Sequence, residues 1–202
     1  MDKKFVITIA RGFGSGGKQI AREVAKALGI PCHEHDILTI AAEKSGYDRS
    51  KFAEADEKII RHSLLHTLSE SFVPNDVLFE HQAKVIRELA EKESCVIVGK
   101  CADYVLRDMD NVFSFYIEAT RAVCLKNVME KMDVTEYEAN ELITETDKYR
   151  ADYYKYYTGG NYWTNPVNYD LTLNSGKLGL ENCVKVIKNY VEMMTENENS
   201  DL

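Results

Sequence analysis

Residues 12–19, GFGSGGKQ, place four glycines immediately ahead of a lysine. Without a Cβ, such a stretch can turn sharply and bring successive backbone N–H groups close to an anion. The spacing is Gly12, four residues, Gly17, then Lys18, the G-x-x-x-x-G-K of a phosphate cradle. The amides from Gly14 through Ser15, Gly16 and Gly17 to Lys18 are the candidate phosphate ligands, with the Lys18 ammonium as counter-charge. The final position departs from the pattern: Gln19 stands where a Ser or Thr hydroxyl ordinarily binds Mg²⁺. A flexible glycine-rich linker would share this composition, so the flanking elements decide between the two.

Those elements are a strand and a helix. Phe5 to Ala10 is a short apolar, β-branched run that reads as a buried parallel strand. Over 18–28, Ile20, Val24 and Leu28 recur on one face with Ala21 and Ala25 beside them, which is helical spacing. Gly29 and Pro31 stop that helix in the usual order. A helix starting at the glycines adds about half a positive charge where the anion would sit. Strand, glycines and helix together favour the phosphate cradle over the linker.

Further along, apolar runs alternate with helical pattern, the signature of a parallel α/β sheet. Strands are expected at 5–10, weakly at 31–35, and at 95–99, 112–117 and 169–174. Helical pattern fills most of 37–93, with Asn75 or Asp76 as a cap and Leu78, Val85, Ile86 and Leu89 on one face. Further helices are expected at 120–132, from a Thr135/Glu138 capping box towards Tyr154, and over the final LENCVKVIKNYVEMM. The polar tail TENENSDL is expected to fray.

Bulk properties narrow the class. A chain of 202 residues can bury one sizeable core with small insertions. A net charge of −8 argues against a general nucleic-acid binder. No apolar run approaches the roughly 20 residues of a membrane span. The start, MDKKFVITIA, enters a strand with no signal-peptide pattern, so the expected location is cytoplasmic. The five cysteines lack metal-type spacing, and Cys95 and Cys101 read as small core residues.

The segments ITIARGFGSGGKQIA, the short second strand ending in Asp36, SCVIVGKCADYVL and DKYRADYYKYY…YDLTLNS together resemble the cytidylate-kinase-like family of P-loop proteins. The resemblance covers nearly the whole chain. It implies a P-loop NTPase fold, a three-layer α/β/α arrangement with a five-stranded parallel sheet, in a single domain. The core would be 1–36, 94–130 and 166–195, with a helical acceptor-binding insertion at 37–93 and a lid at 131–165. It also implies ATP as donor and a small phosphorylated acceptor, a nucleoside monophosphate of cytidylate type. Mg²⁺ would be held mainly through phosphates and water rather than by protein ligands. The protein would be a monomer or homodimer with no nucleic-acid or membrane partner.

Site residues follow from the same resemblance. Lys18 would bridge the β- and γ-phosphates, and Gly12 to Gln19 would form the nucleotide site. Asp36 would lie near the acceptor or a Mg²⁺-bound water; equally, it could cap the following helix. Lys100 takes the place of an arginine that clamps the acceptor phosphate, keeping the charge but losing the two-bond fork. Asp103 could bind acceptor or water, or cap its own helix. Arg150 and Lys148, in the lid, would close over the transferring phosphoryl group; the alternative is a solvated helix face with Glu145, Asp147 and Asp152. Cys124 and Asn127 replace arginines expected near the adenine, with Arg121 and Lys126 as nearby substitutes. The aromatic group Tyr153, Tyr154, Tyr156, Tyr157, Tyr162 and Trp163 could stack a base, although packing or an interface is the commoner use. His33 and His35 read as ordinary histidines rather than a metal pair.

Two functions remain open. One is an active kinase moving the ATP γ-phosphate to a small acceptor; the other is a nucleotide- or phosphate-binding module with weak or no catalysis. The complete G-x-x-x-x-G-K and charged lid favour the first, and Gln19 and Lys100 favour the second. A switch GTPase lacks its N-K-x-D, and a metal hydrolase its H-E-x-x-H.

Overall fold

The computed structural model describes residues 4–34, 36–45 and 72–200. Five strands form one sheet: β1 (Val6–Arg11), β2 (Cys32–His33), β3 (Cys95–Val98), β4 (Val112–Glu118) and β5 (Leu171–Asn174). All pairings are parallel and the order is β2-β3-β1-β4-β5, with Ile7 opposite Val96 on one side and Phe113 on the other. The β1 run is buried on both faces, so its apolar residues carry no polar alternation.

Helices cover both faces. On one, α1 (Gly17–Leu28) and α8 (Leu180–Ser200) pack Ile20, Val24, Ile187 and Val191 onto Ile7, Ile9 and Phe115. On the other, α2 (Asp36–Ser45) and α3 (Asp76–Lys92) pack Ile37, Val85 and Ile86 onto Val6, Cys95 and Ile97. Odd and even residues of β1 thus feed opposite cores, as the pleat requires. Short α4 (Ala102–Val105) follows β3, and α7 (Ser175–Leu178) follows β5. After β4, α5 (Arg121–Met132) joins α6 (Glu136–Tyr157), which lies within the expected lid segment 131–165, through a small core of Cys124, Val128, Leu142 and Ile143.

The local signals act where they stand. Gly29, at φ 67°, ends α1 with its N–H on Ala25 and Lys26. Asn75 caps α3 by accepting the Leu78 N–H at 3.0 Å. The Thr135/Glu138 capping box opens α6. Three expectations are corrected. The second strand is two residues rather than 31–35, with His35 outside the described residues. The fifth starts at Leu171 because Pro166–Asn168 form a 3₁₀ turn. The C-terminal helix runs on through Ser200 instead of fraying after Met194. Of the expected insertion, residues 46–71 lie outside the described residues.

Candidate active site

The loop between β1 and α1 opens on a cavity of about 970 Å³. Gly12 to Gln19 line one end; Lys100, Asp103, Arg150, Gln82 and Tyr149 are among the residues lining the rest. Gly14 and Gly16 adopt left-handed φ of 81° and 80°. A Cβ on Gly14 would lie 2.8 Å from the Cys124 carbonyl oxygen, so the loop presses directly against α5. Ser15 is buried, and its Oγ donates to the Gly12 carbonyl at 2.8 Å.

Neighbouring elements hold the loop from three sides. Asn127 donates to the Gly14 carbonyl at 2.8 Å, and Ser175 Oγ donates to the Ser15 carbonyl at 2.6 Å. From α6, the Asp147 carboxylate accepts the Phe13 N–H at 2.8 Å. Arg150 Nη1 donates to the Arg11 carbonyl at 3.0 Å and to Asp147 at 3.2 Å, with its guanidinium over the Phe13 ring. The Arg150 side chain is 17% exposed. Burial lowers its pKa while Asp147 opposes the shift; burial also raises Asp147, with Arg150 pulling it back. Among the described residues only Nη1 has hydrogen-bond partners, which leaves Nη2 and Nε as donors on a side chain that lines the cavity.

The turn after β3 presents the other charges. Gly99, Lys100 and Cys101 are successive left-handed residues at φ 71°, 57° and 54°. For the two that are not glycine this costs roughly 1–2 kcal/mol each, and the turn places Lys100 and Asp103 on the cavity wall. Tyr154 Oη donates to Asp103 Oδ2 at 2.7 Å. Desolvation raises the Asp103 carboxyl to about 6, with that hydrogen bond acting the other way.

Placement of the remaining candidates is mixed. Asp36 does not line the cavity: it begins α2, pairs with His33 Nδ1 at 2.5 Å and accepts the Glu34 N–H at 2.8 Å. Glu34, which sequence reasoning passed over, lies on the wall, held by Arg22 in a two-bond pair. Lys148 is exposed on α6 and away from the cavity. Arg121 and Lys126 do not line the cavity: Arg121 bonds Asn140 and Thr144 of α6 and so joins α5 to α6, and Lys126 pairs with Glu130. Tyr154 and Trp163 pack in a core with Tyr116 and Tyr169, yet with Tyr153 they also face the cavity, whereas Tyr156 and Tyr162 are exposed. Gln82, Asn127, Tyr149 and Ser175 join the site through tertiary packing alone, and only the Asp147/Arg150 spacing of three on one helix signalled a pair.

No group of three or more His, Cys, Asp or Glu that could hold a metal ion occurs among the described residues. None of the described helices is long and apolar enough to cross a membrane.

A parallel sheet carrying G-x-x-x-x-G-K between β1 and α1, with helices on both faces, is the P-loop NTPase fold. The sequence matches the model of the cytidylate kinase-like family over residues 6–177, and the chain belongs to that family. Among solved structures it is similar to an uncharacterized protein from Eubacterium ventriosum, at 28% identity and a TM-score of 0.73, covering 94% of this chain and 99% of that one. A gluconokinase from Sinorhizobium meliloti shares the fold at 13% identity and a TM-score of 0.56, covering 98% and 99% of the two chains. A shikimate kinase from Acinetobacter baumannii, in complex with shikimate, does so at 12% and 0.54, covering 97% and 96%. No curated protein matches the sequence.

Proposed function

We propose that this protein transfers the γ-phosphate of ATP to a small phosphorylated acceptor, a nucleoside monophosphate of cytidylate type. The observation that carries the reading is the shared cavity: the loop with Lys18, the acceptor-side Lys100 and Asp103, and the lid Arg150 all line one space. Phosphoryl transfer needs positioning and charge neutralisation more than covalent chemistry from the protein.

In this reading the amides of Gly14 to Lys18 hold the β-phosphate and Lys18 bridges β and γ. Arg150, anchored through Nη1, gives its remaining donors to the equatorial oxygens of the moving phosphoryl group. Lys100 holds the acceptor phosphate in line. One of its oxygens forms the new bond to phosphorus as the bond to the β–γ bridging oxygen breaks, and ADP leaves. An ionised acceptor phosphate has no proton to surrender, so no general base is required. Mg²⁺ would neutralise charge on the β- and γ-oxygens. The Gln19 carbonyl stands where the usual hydroxyl would be, which suits a metal held mainly by phosphates and water.

A second reading, a nucleotide- or phosphate-binding module with weak or no catalysis, is favoured by Gln19 and by Lys100 in place of arginine. ATP with each nucleoside monophosphate, read as ADP formation, separates the two. Acceptor-dependent ADP formation supports the kinase; ATP binding without turnover against every acceptor supports the module.

A further inference from the structure

Gln82 projects from α3 into the cavity wall although it is only 3% exposed. Among the described residues its one hydrogen bond is a long 3.4 Å contact from Tyr153 Oη to Oε1, and none of them bonds the two Nε2 donors. Nε2 is not among the fully buried polar atoms that lack a partner, so its donors open onto the cavity, where a bound ligand can take them. The helical spacing of four sets Leu78 beside it, and both side chains face the cavity. Opposite, α6 contributes Tyr149 and Tyr153, also four apart, with ring centroids 6.3 Å apart and planes within 26°.

We propose that Gln82 is a specificity-determining residue that reads the ring edge of the acceptor's nucleobase, with the ring lying against Tyr149 and Tyr153. This rests on the monophosphate-kinase reading above. An aromatic wall of Tyr149 and Tyr153, against which the Phe72 ring also packs edge-on, together with one amide suits a planar ring bearing one hydrogen-bonding edge. A polyhydroxylated acceptor would need many polar partners, and among the described residues this part of the wall offers few. With Oε1 engaged by Tyr153, the free Nε2 donors select a ring nitrogen or carbonyl oxygen as acceptor. Charge at Lys100 would then hold the phosphate, while Gln82 separates nucleotides from other phosphate esters.

The test is calorimetric affinity of CMP, UMP, AMP and GMP, each against ribose 5-phosphate, for the wild type, Gln82→Met and Tyr149→Leu. Methionine keeps the volume and removes the hydrogen bonds. The wild type should bind at least one nucleotide about tenfold or more tighter than ribose 5-phosphate. Gln82→Met should lose about tenfold of that preference, the scale of one hydrogen bond, with ribose 5-phosphate and ATP affinities unchanged. Tyr149→Leu, lying outside the packed core, should lower nucleotide affinity in the same selective way and serves if Gln82→Met does not fold. A wild type that binds ribose 5-phosphate as well as nucleotides, or variants that keep the preference, would overturn the assignment while leaving a phosphorylated acceptor in place. Binding of neither class would sink the monophosphate-kinase reading itself, and the assignment with it.

Discussion

The Asp147 carboxylate accepts the Phe13 backbone N–H at 2.8 Å, joining α6 to the glycine loop across 134 residues of sequence. The same carboxylate steadies Arg150, whose Nη1 bonds the Arg11 carbonyl one residue before the loop begins. The loop and α6 are therefore one hydrogen-bonded unit. Asp147→Ala should cost about 1.5–3 kcal/mol, the scale of a hydrogen bond to a charged group, and should weaken ATP binding by freeing Phe13. Urea denaturation and ATP calorimetry measure both; a stable variant with unchanged ATP affinity would show that the link has no role.

Gly14 and Gly16 share a left-handed backbone but differ in surroundings. A Cβ at Gly14 meets the Cys124 carbonyl at 2.8 Å, whereas nothing lies within 4 Å of one at Gly16. Both alanine variants bear backbone strain of roughly 1–2 kcal/mol, and only Gly14→Ala adds the clash. Thermal unfolding should rank Gly14→Ala clearly below Gly16→Ala, and equal midpoints would contradict the packing of the loop on α5.

Asp103 makes stability depend on pH. Burial raises its carboxyl from 3.8 to about 6, so the folded state holds the proton more tightly than the unfolded chain. The resulting stabilisation is complete below about 3.8 and is lost as pH rises through about 6. Denaturation of wild type and Asp103→Asn at pH 4 and pH 7.5 checks the sign. The wild type should lose stability relative to the variant on going to the higher pH, and a constant difference would place Asp103 in water rather than beneath Tyr154.

If the proposed function holds, Lys100 contributes charge more than shape. Lys100→Met should weaken binding of the acceptor nucleotide by about 1.5–3 kcal/mol, and Lys100→Arg should keep or improve activity by restoring the planar fork. Steady-state kinetics over the acceptor panel at fixed ATP measures both. If Lys100→Met leaves KM and kcat for the acceptor untouched, the acceptor phosphate binds elsewhere.

What was legible in the sequence is what local chemistry dictates. The β1 run, the glycine spacing and the amphipathic stripe of α1 sit within 24 residues, from 5 to 28, and need no distant partner to be read. The Thr135/Glu138 box and Asn75 cap are equally local. The edge strand β2 was overextended because only Cys32 and His33 find a ladder partner in β3. The C-terminal helix was cut short because TENENS carries no apolar stripe, although glutamate propagates a helix well once α8 is docked through Ile187 and Val191. Site residues supplied by packing were hidden for the same reason. Arg121, expected as a substitute near the adenine, bonds Asn140 and Thr144 of α6 instead, and Gln82 carries no local signal because its place on the cavity wall comes from how α3 packs.

The central claim is phosphoryl transfer at the Gly12–Lys18 loop. The direct measurement follows label from γ-phosphate-labelled ATP in the presence of Mg²⁺ and each nucleoside monophosphate, for wild type and Lys18→Ala side by side. Label should appear in a nucleoside diphosphate with the wild type, and not with folded Lys18→Ala, which lacks the cation bridging the β- and γ-phosphates. Transfer by Lys18→Ala at the wild-type rate, or label released only as inorganic phosphate by both proteins, would contradict the account.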